Sequence, residues 1–138
     1  MRYLAATDGR TANETLLEYL EPRLTHEDTV HVVHSLKGQE ADTGVGEDES
    51  DVVLESRETL SAMADRLSGR ATVETHQLVR GNDPHEDLLQ FAVEHDVDEL
   101  LVGIRQRSTG ERVLFGSTAQ KVLLNADRPV VAIPLPDE

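Results

Sequence analysis

Between Gly103 and Ser117 the chain reads Gly-Ile-Arg-Gln-Arg-Ser-Thr-Gly-Glu-Arg-Val-Leu-Phe-Gly-Ser. From Gly103 to Lys121 four cations (Arg105, Arg107, Arg112 and Lys121) stand against one carboxylate, Glu111, in a chain whose net charge is −14. A basic loop rich in small residues that runs into a helix start suits phosphate. The helix dipole and its unsatisfied N–H groups favour an anion there, and arginines chelate its oxygens. The same residues fit a second reading, in which Gly103 and Gly116 form tight turns and the arginines pair with surrounding carboxylates. Asp8 offers a carboxylate just after the first apolar run, although Asp8-Gly9 is also a common turn pair. Ser117 reads as a helix cap, and a cap can itself be the anion site.

Other chemistries lack their residues. No Gly-x-x-x-x-Gly-Lys-Ser/Thr string is present, and no Gly-x-Ser-x-Gly elbow surrounds Ser117. Gly44-Val45-Gly46 begins a dinucleotide-like string but lies in an acidic stretch ending at Glu49. With 0 cysteines the chain has no disulfide, thiolate ligand or thiol nucleophile. His31 and His34 fall on opposite sides of a strand and the remaining histidines lack ligand spacing, so the spacing predicts no metal site. Asp83, Glu86 and Asp87 resemble paired carboxylates, but acids in a helix's first turn have an ordinary dipole explanation.

The elements that position these residues alternate along the chain. Tyr3–Ala6 is a short apolar run that reads as a strand with a turn behind it, followed by a capping box at Thr11 and Glu14 and a helix whose face is Leu16, Leu17 and Leu20, stopped by Pro22. Val30–His34 is β-branched and reads as a second strand. Gly38 to Ser50 is acidic without apolar periodicity and reads as a mobile loop. Val53, Leu60, Ala64 and Leu67 recur at helical spacing, with Gly69 suited to a left-handed cap. Ala71–Val79 alternates like a half-exposed edge strand. Asp83, Pro84 and Glu86 open a helix whose buried face is predicted as Leu88, Leu89, Ala92 and Val93. Leu100–Val102 is a buried strand. A long loop then reaches Phe115, and Ser117 with Gln120 opens a last helix with Ala119, Val122, Leu123 and Ala126 inward. Val130–Pro134 is the last strand. Strands alternating with helices imply one α/β domain over residues 1–138, with a parallel sheet covered on both faces.

Composition narrows the partners. The 138 residues hold 27 Asp and Glu against 13 Lys and Arg, so the body repels phosphate backbones and anionic membranes. With 0 Trp, 2 Tyr and 2 Phe, stacking platforms for single-stranded nucleic acid are absent. Only Lys37 and Lys121 are lysine, and this acidic, lysine-poor balance fits a protein adapted to high salt. The apolar stretch after Met1-Arg2 is too short for a signal peptide or a membrane span, so the expected location is the cytoplasm.

Four pieces of the chain match a known family: Asp8 after the first strand, the His34-Ser35 strand end, Gly81-Asn82-Asp83-Pro84 before a helix, and Gly103…Gly116-Ser117. On these the chain resembles the universal stress protein family over essentially its full length. The resemblance implies a Rossmann-like open five-stranded parallel sheet in the order 3-2-1-4-5 with four helices on its two faces. It also implies a homodimer formed through the last strand, Val130 to Ile133. Many members bind ATP or AMP, with or without Mg2+, through Gly, two residues, Gly, nine residues, Gly, then Ser or Thr. By that resemblance Asp8 contacts the ribose or the adenine edge, and Thr7 and Ser35 line the base pocket. Gly103 approaches the ribose and phosphates, while Gly116, Ser117 and Thr118 hold phosphate oxygens. Arg105 and Arg107 join this set from charge alone. Gln106 stands where the pattern has its middle glycine, and a side chain there crowds the close backbone approach.

The expectation is a nucleotide-binding stress-response protein acting by ligand-linked control of its conformation or of a protein partner. It has no catalytic residues and at most slow ATP hydrolysis. A nucleotide-independent dimeric scaffold of the same fold is the alternative that Gln106 favours. A nucleotide-dependent transferase is a third, without a recognisable catalytic string.

Overall fold

Strand β1 (Arg2–Ala6) pairs in parallel with β2 (Thr29–Leu36) on one side and with β4 (Glu99–Ile104) on the other, so Leu4 faces both His31 and Leu100 across the ladder. In the computed structural model, residues 1–8, 13–36, 47–79, 82–104, 107–109, 112–114 and 117–135 are described. Beyond β2 lies β3 (Thr72–Val79), and beyond β4 lies β7 (Val130–Pro134), giving the order β3-β2-β1-β4-β7. All four pairings are parallel. With β7 as the fifth long strand, this is the expected 3-2-1-4-5 sheet of a Rossmann-like α/β fold.

Parallel strands need crossover helices, and these helices cover both faces. Helices α1 (Asn13–Leu20) and α2 (Glu47–Leu67) pack one face, where Leu16, Leu17, Leu20, Leu60, Met63 and Leu67 meet Tyr3, Ala5, Val30, Val32 and Leu101. Helices α3 (Pro84–Glu94) and α4 (Ser117–Asn125) pack the other, where Leu88, Phe91, Ala92, Ala119 and Val122 meet Leu4, Val33, Leu100 and Val102. The period-two alternation of each central strand therefore feeds both cores, which is why Leu100-Leu101-Val102 reads as a continuous apolar run. The strand β3 is an edge strand, as its mixed pattern predicts.

Several local expectations need correction. Helix α2 begins at Glu47, so Glu47–Ser50 belong to a helix rather than to the acidic loop, while residues 38–46 lie outside the described residues. The stretch after β4 is not only loop: β5 (Arg107–Thr109) and β6 (Arg112–Leu114) pair antiparallel as a short ribbon. On α3 Leu88 and Ala92 are buried as expected and Phe91 joins them, but Val93 is exposed; on α4 Leu123 is exposed. The buried stripes are Leu88, Phe91 and Ala92 on α3 and Ala119 and Val122 on α4; Val93 falls off the first, whereas Leu123, at i+4 from Ala119, lies at the exposed margin of the second.

Helix ends also differ. Thr11, the expected cap of α1, lies outside the described residues. Asp83 occupies the N-cap of α3 in extended conformation, with Pro84 following, but its carboxylate makes no cap hydrogen bond. Gly69 is not left-handed. The left-handed residue is Asp96, with φ 51°. It closes α3 in a Schellman arrangement, Val97 N donating to Ala92 O at 3.0 Å and Asp96 N to Val93 O at 3.4 Å. Arg128 locks that turn from outside by donating to Ala92 O at 2.9 Å and Val97 O at 2.8 Å.

Candidate functional site

Sheet growth reverses between β1 and β4: β2 and β3 add on one side, β4 and β7 on the other. Such a reversal opens a crevice outside the carboxyl ends of the strands, where ligands of open α/β sheets bind. Thr7 and Asp8 leave β1 at this end, and Gly103 and Ile104 end β4 beside them. Thr7 is buried and anchored twice. Its N–H donates to Val33 O at 3.0 Å, and its hydroxyl bonds Asn13 Oδ1 at the first residue of α1. Strand end and helix start are thereby fixed to each other, and Asp8, the next residue, is presented exposed.

Gly103 has a packing role. A Cβ built there would lie 2.8 Å from Leu135 Cδ2, so the missing side chain makes room for Leu135 after β7. Ser35 turns toward α3. Its hydroxyl donates to Asp87 Oδ2 at 2.6 Å, and Asn82 Nδ2 donates to Asp87 Oδ1 at 3.2 Å. Asp87 is fully buried, so this network ties the end of β2 to the first turn of α3. The hydroxyl proton of Ser35 is committed, leaving only the oxygen lone pair for a base.

Helix α4 returns from the β4 end toward the start of β7, so its N-terminus lies at the crevice end of the sheet. Ser117 is its first residue, and Thr118, in the first turn, is half-buried. Arg107 lies in β5. The side chains of Arg107 and Ser117, and all of Arg105, Gln106 and Gly116, lie outside the described residues. The fold thus gathers Thr7, Asp8, Gly103 and the first turn of α4 at one end of the sheet, with Ser35 directed to the α3 layer.

One cluster is invisible to linear spacing. The β2–β3 register pairs His31 with Glu74 and Val33 with His76, which puts His31, Glu74 and His76 on the face covered by α3. His31 Nδ1 lies 3.1 Å from His76 Nε2. Phe91 meets both rings edge-on, with centroids 5.3 and 4.6 Å away, and stacks on His95 at 3.8 Å. Burial pushes both imidazoles below the usual histidine value, partly opposed by the charge of Glu74. The period-two alternation within β2 and β3 was readable; which residue of one faces which of the other was not.

Set beside known proteins, the fold has close parallels. Among solved structures, a universal stress protein from Archaeoglobus fulgidus is 33% identical, with 96% of this chain and 98% of that chain covered and a TM-score of 0.75. The universal stress protein from the same organism in complex with dAMP is 30% identical, with 96% and 97% covered and a TM-score of 0.70. A universal stress protein of Mycolicibacterium smegmatis is 40% identical over 53 residues, 38% of this chain, and the match spans only 41% of that relative's length. The family model of universal stress proteins matches residues 1–134, nearly the whole chain and every element of the sheet. With strand order, helix placement and sequence in agreement, this chain belongs to the universal stress protein family.

Proposed function

We propose that this protein binds an adenine nucleotide, ATP or AMP, in the crevice between β1 and β4 and acts by ligand-linked control of conformation or partner binding. The observation that carries the reading is the meeting, at one end of the sheet, of Asp8, Gly103 and the N-terminus of α4. The dAMP complex of the Archaeoglobus fulgidus relative supports it. Asp8 meets the ribose or the base, the first-turn N–H groups of α4 meet phosphate, and the locally cationic stretch from Arg105 to Lys121 offsets the acidic body. Gly103 offers backbone rather than space, because Leu135 fills the room beside it. The reading makes this a binding protein, with ATP hydrolysis slow at most. The edge strand β7 leaves one row of ladder groups for a second copy, which is the proposed dimer contact.

A second reading rests on Gln106, which occupies the position of the motif's middle glycine. There the same fold serves as a nucleotide-independent dimeric scaffold. Protein purified in high salt is denatured and any released nucleotide identified by mass spectrometry, followed by calorimetry with ATP and AMP. Nucleotide-bound protein, with Ser117→Ala weakening affinity about tenfold through a lost charged hydrogen bond, fits the proposal. Empty protein that takes up no ATP at millimolar concentration, yet gains binding on Gln106→Gly, supports the scaffold reading. If Ser117→Ala leaves affinity unchanged, Ser117 is not a phosphate ligand.

A further inference from the structure

We propose that His31, His76 and Glu74 form a binding site for a divalent transition-metal ion of the Zn2+ class, bridging β2 and the edge strand β3. One ligand atom from each of the three residues lies within 4.8 Å of the other two. His31 Nδ1 and His76 Nε2 are already 3.1 Å apart. Two imidazole nitrogens on a tetrahedral Zn2+ with bonds of about 2.05 Å are about 3.3 Å apart, so the pair opens by only a few tenths of an ångström to admit the ion. The set of two imidazoles and one carboxylate is a Zn2+ donor set that leaves a fourth position for water.

The scaffold suits the task. All three ligands stand on paired strands, whose ladder fixes their separation more firmly than a loop would. Burial is graded: His31 is buried, His76 half-buried and Glu74 exposed on the edge strand, so an ion has a path from solvent to the site. The surroundings supply the outer layer that metal sites need. Phe91 walls the site with apolar carbon. The ring of His95 stands 5.2 Å from that of His31 and 5.6 Å from that of His76, with its Nδ1 at 3.1 Å from Phe91 O. A proton on Nδ1 donated to that carbonyl leaves Nε2 of His95 as an acceptor for a metal-bound water. Zn2+ takes imidazole through an unprotonated nitrogen, and the 3.1 Å approach of His31 Nδ1 to His76 Nε2 already places a lone pair on one of the two facing atoms. From two neutral rings, binding needs only a change of tautomer. The proton now shared between Nδ1 and Nε2 moves to the far nitrogen of the ring that holds it, and both lone pairs face the ion.

This inference is independent of nucleotide, and its test contains none. Full-length protein is stripped with chelator, dialysed and titrated with Zn2+ by calorimetry, then melted with and without the ion. Co2+ titration follows, reading its visible d–d bands. One Zn2+ per chain at micromolar affinity or better, a rise in melting temperature, and Co2+ bands of a low-coordinate nitrogen and oxygen site are expected. Glu74→Gln, at an exposed position, melts like the parent in chelator and weakens Zn2+ at least about tenfold. His76→Asn removes the Co2+ bands, whereas His26→Asn, at an exposed histidine outside the cluster, changes nothing. Absence of Zn2+ binding overturns the proposal. So does binding that survives Glu74→Gln undiminished, or binding lost with His26→Asn instead. Should His76→Asn fail to fold, Glu74→Gln alone decides the matter.

Discussion

At the crevice end of the sheet, the residues of the proposed nucleotide site are chain neighbours: Thr7 with Asp8, and Gly103 with the stretch leading to Ser117 and Thr118. Under α3 the opposite holds. His31 and His76 are 45 positions apart and meet only because β2 and β3 pair in one register and Phe91 closes over them. The first region is a motif of consecutive residues presented at strand ends and a helix start. The second is a product of packing, and it depends on how firmly α3 is seated. Weakening the seat of α3 should therefore separate the two regions.

The hardest blow to that seat is Asp87→Ala. Asp87 is fully buried and accepts from both Ser35 and Asn82, so truncation takes the acceptor from the buried Ser35 hydroxyl and turns the amide of exposed Asn82 to solvent. A loss of about 2–3 kcal/mol is expected, read by urea denaturation. Nucleotide affinity at the proposed crevice site should change little in the fraction that stays folded, because the bonds described for Asp87 run to Ser35 and Asn82 in the α3 layer. Equal loss in both regions would show that the crevice also hangs on α3 and would end the contrast. Ser35→Ala is the milder companion. Loss of stability with nucleotide affinity kept would assign Ser35 to the α3 anchor rather than to the base pocket.

What could be read beforehand follows the same division. Strands and helices whose apolar residues keep one period were legible: Leu16, Leu17 and Leu20 on α1, Leu100–Val102 in β4, and the Asp83-Pro84 start of α3. These are local facts, and local patterning decides local structure. Of the two wrongly assigned inward residues, Val93 follows Ala92 off the stripe that starts at Leu88, while Leu123 keeps helical spacing from Ala119 and still lies at the exposed margin of its stripe, so period alone did not decide burial. The β5–β6 ribbon consists of two strands of three residues each, below the length at which alternation can be recognised. The histidine cluster was illegible for a stronger reason. Register is a long-range property, and a shift of one residue would have moved His76 to the other face of the sheet.

Acid sharpens the contrast without a mutation. His31 and His76 are held below the ordinary imidazole value chiefly by burial. His95 and Arg2 add to the shift for His31, and His95 and His31 add to it for His76, while Glu74 opposes in both cases. The folded state therefore favours the neutral rings, while the unfolded chain takes up protons near pH 6.5. Stability from this cluster is complete above about pH 6.5 and falls as the pH drops toward the depressed folded values. In chelator, the urea midpoint should fall between about pH 7.5 and 5.5. The fall should be shallower in the double variant His31→Leu, His76→Leu. An identical slope in the double variant would place the titrating groups elsewhere.

The smallest effect expected is a gain. Asp96 closes α3 at φ 51°, a conformation that costs an L-residue energy and that glycine adopts freely. Asp96→Gly removes that strain but also removes a carboxylate whose charge favours the Arg128 guanidinium. The two terms oppose each other, and their sizes decide the sign. Relief at a left-handed position is worth up to about 1 kcal/mol, reduced here because aspartate tolerates the region and glycine loses more entropy on folding. A charge interaction at an exposed carboxylate is worth a few tenths of a kcal/mol at most in salt. Arg128 also keeps its bonds to Ala92 O, Val97 O and Asp127 whatever stands at 96. A rise in melting temperature of about 2 °C is therefore expected, with Zn2+ affinity unchanged because the turn geometry is kept. A lower melting temperature would mean that the acidic turn is held by Arg128 through charge more than by the backbone, and the seat of α3 would then weaken with salt.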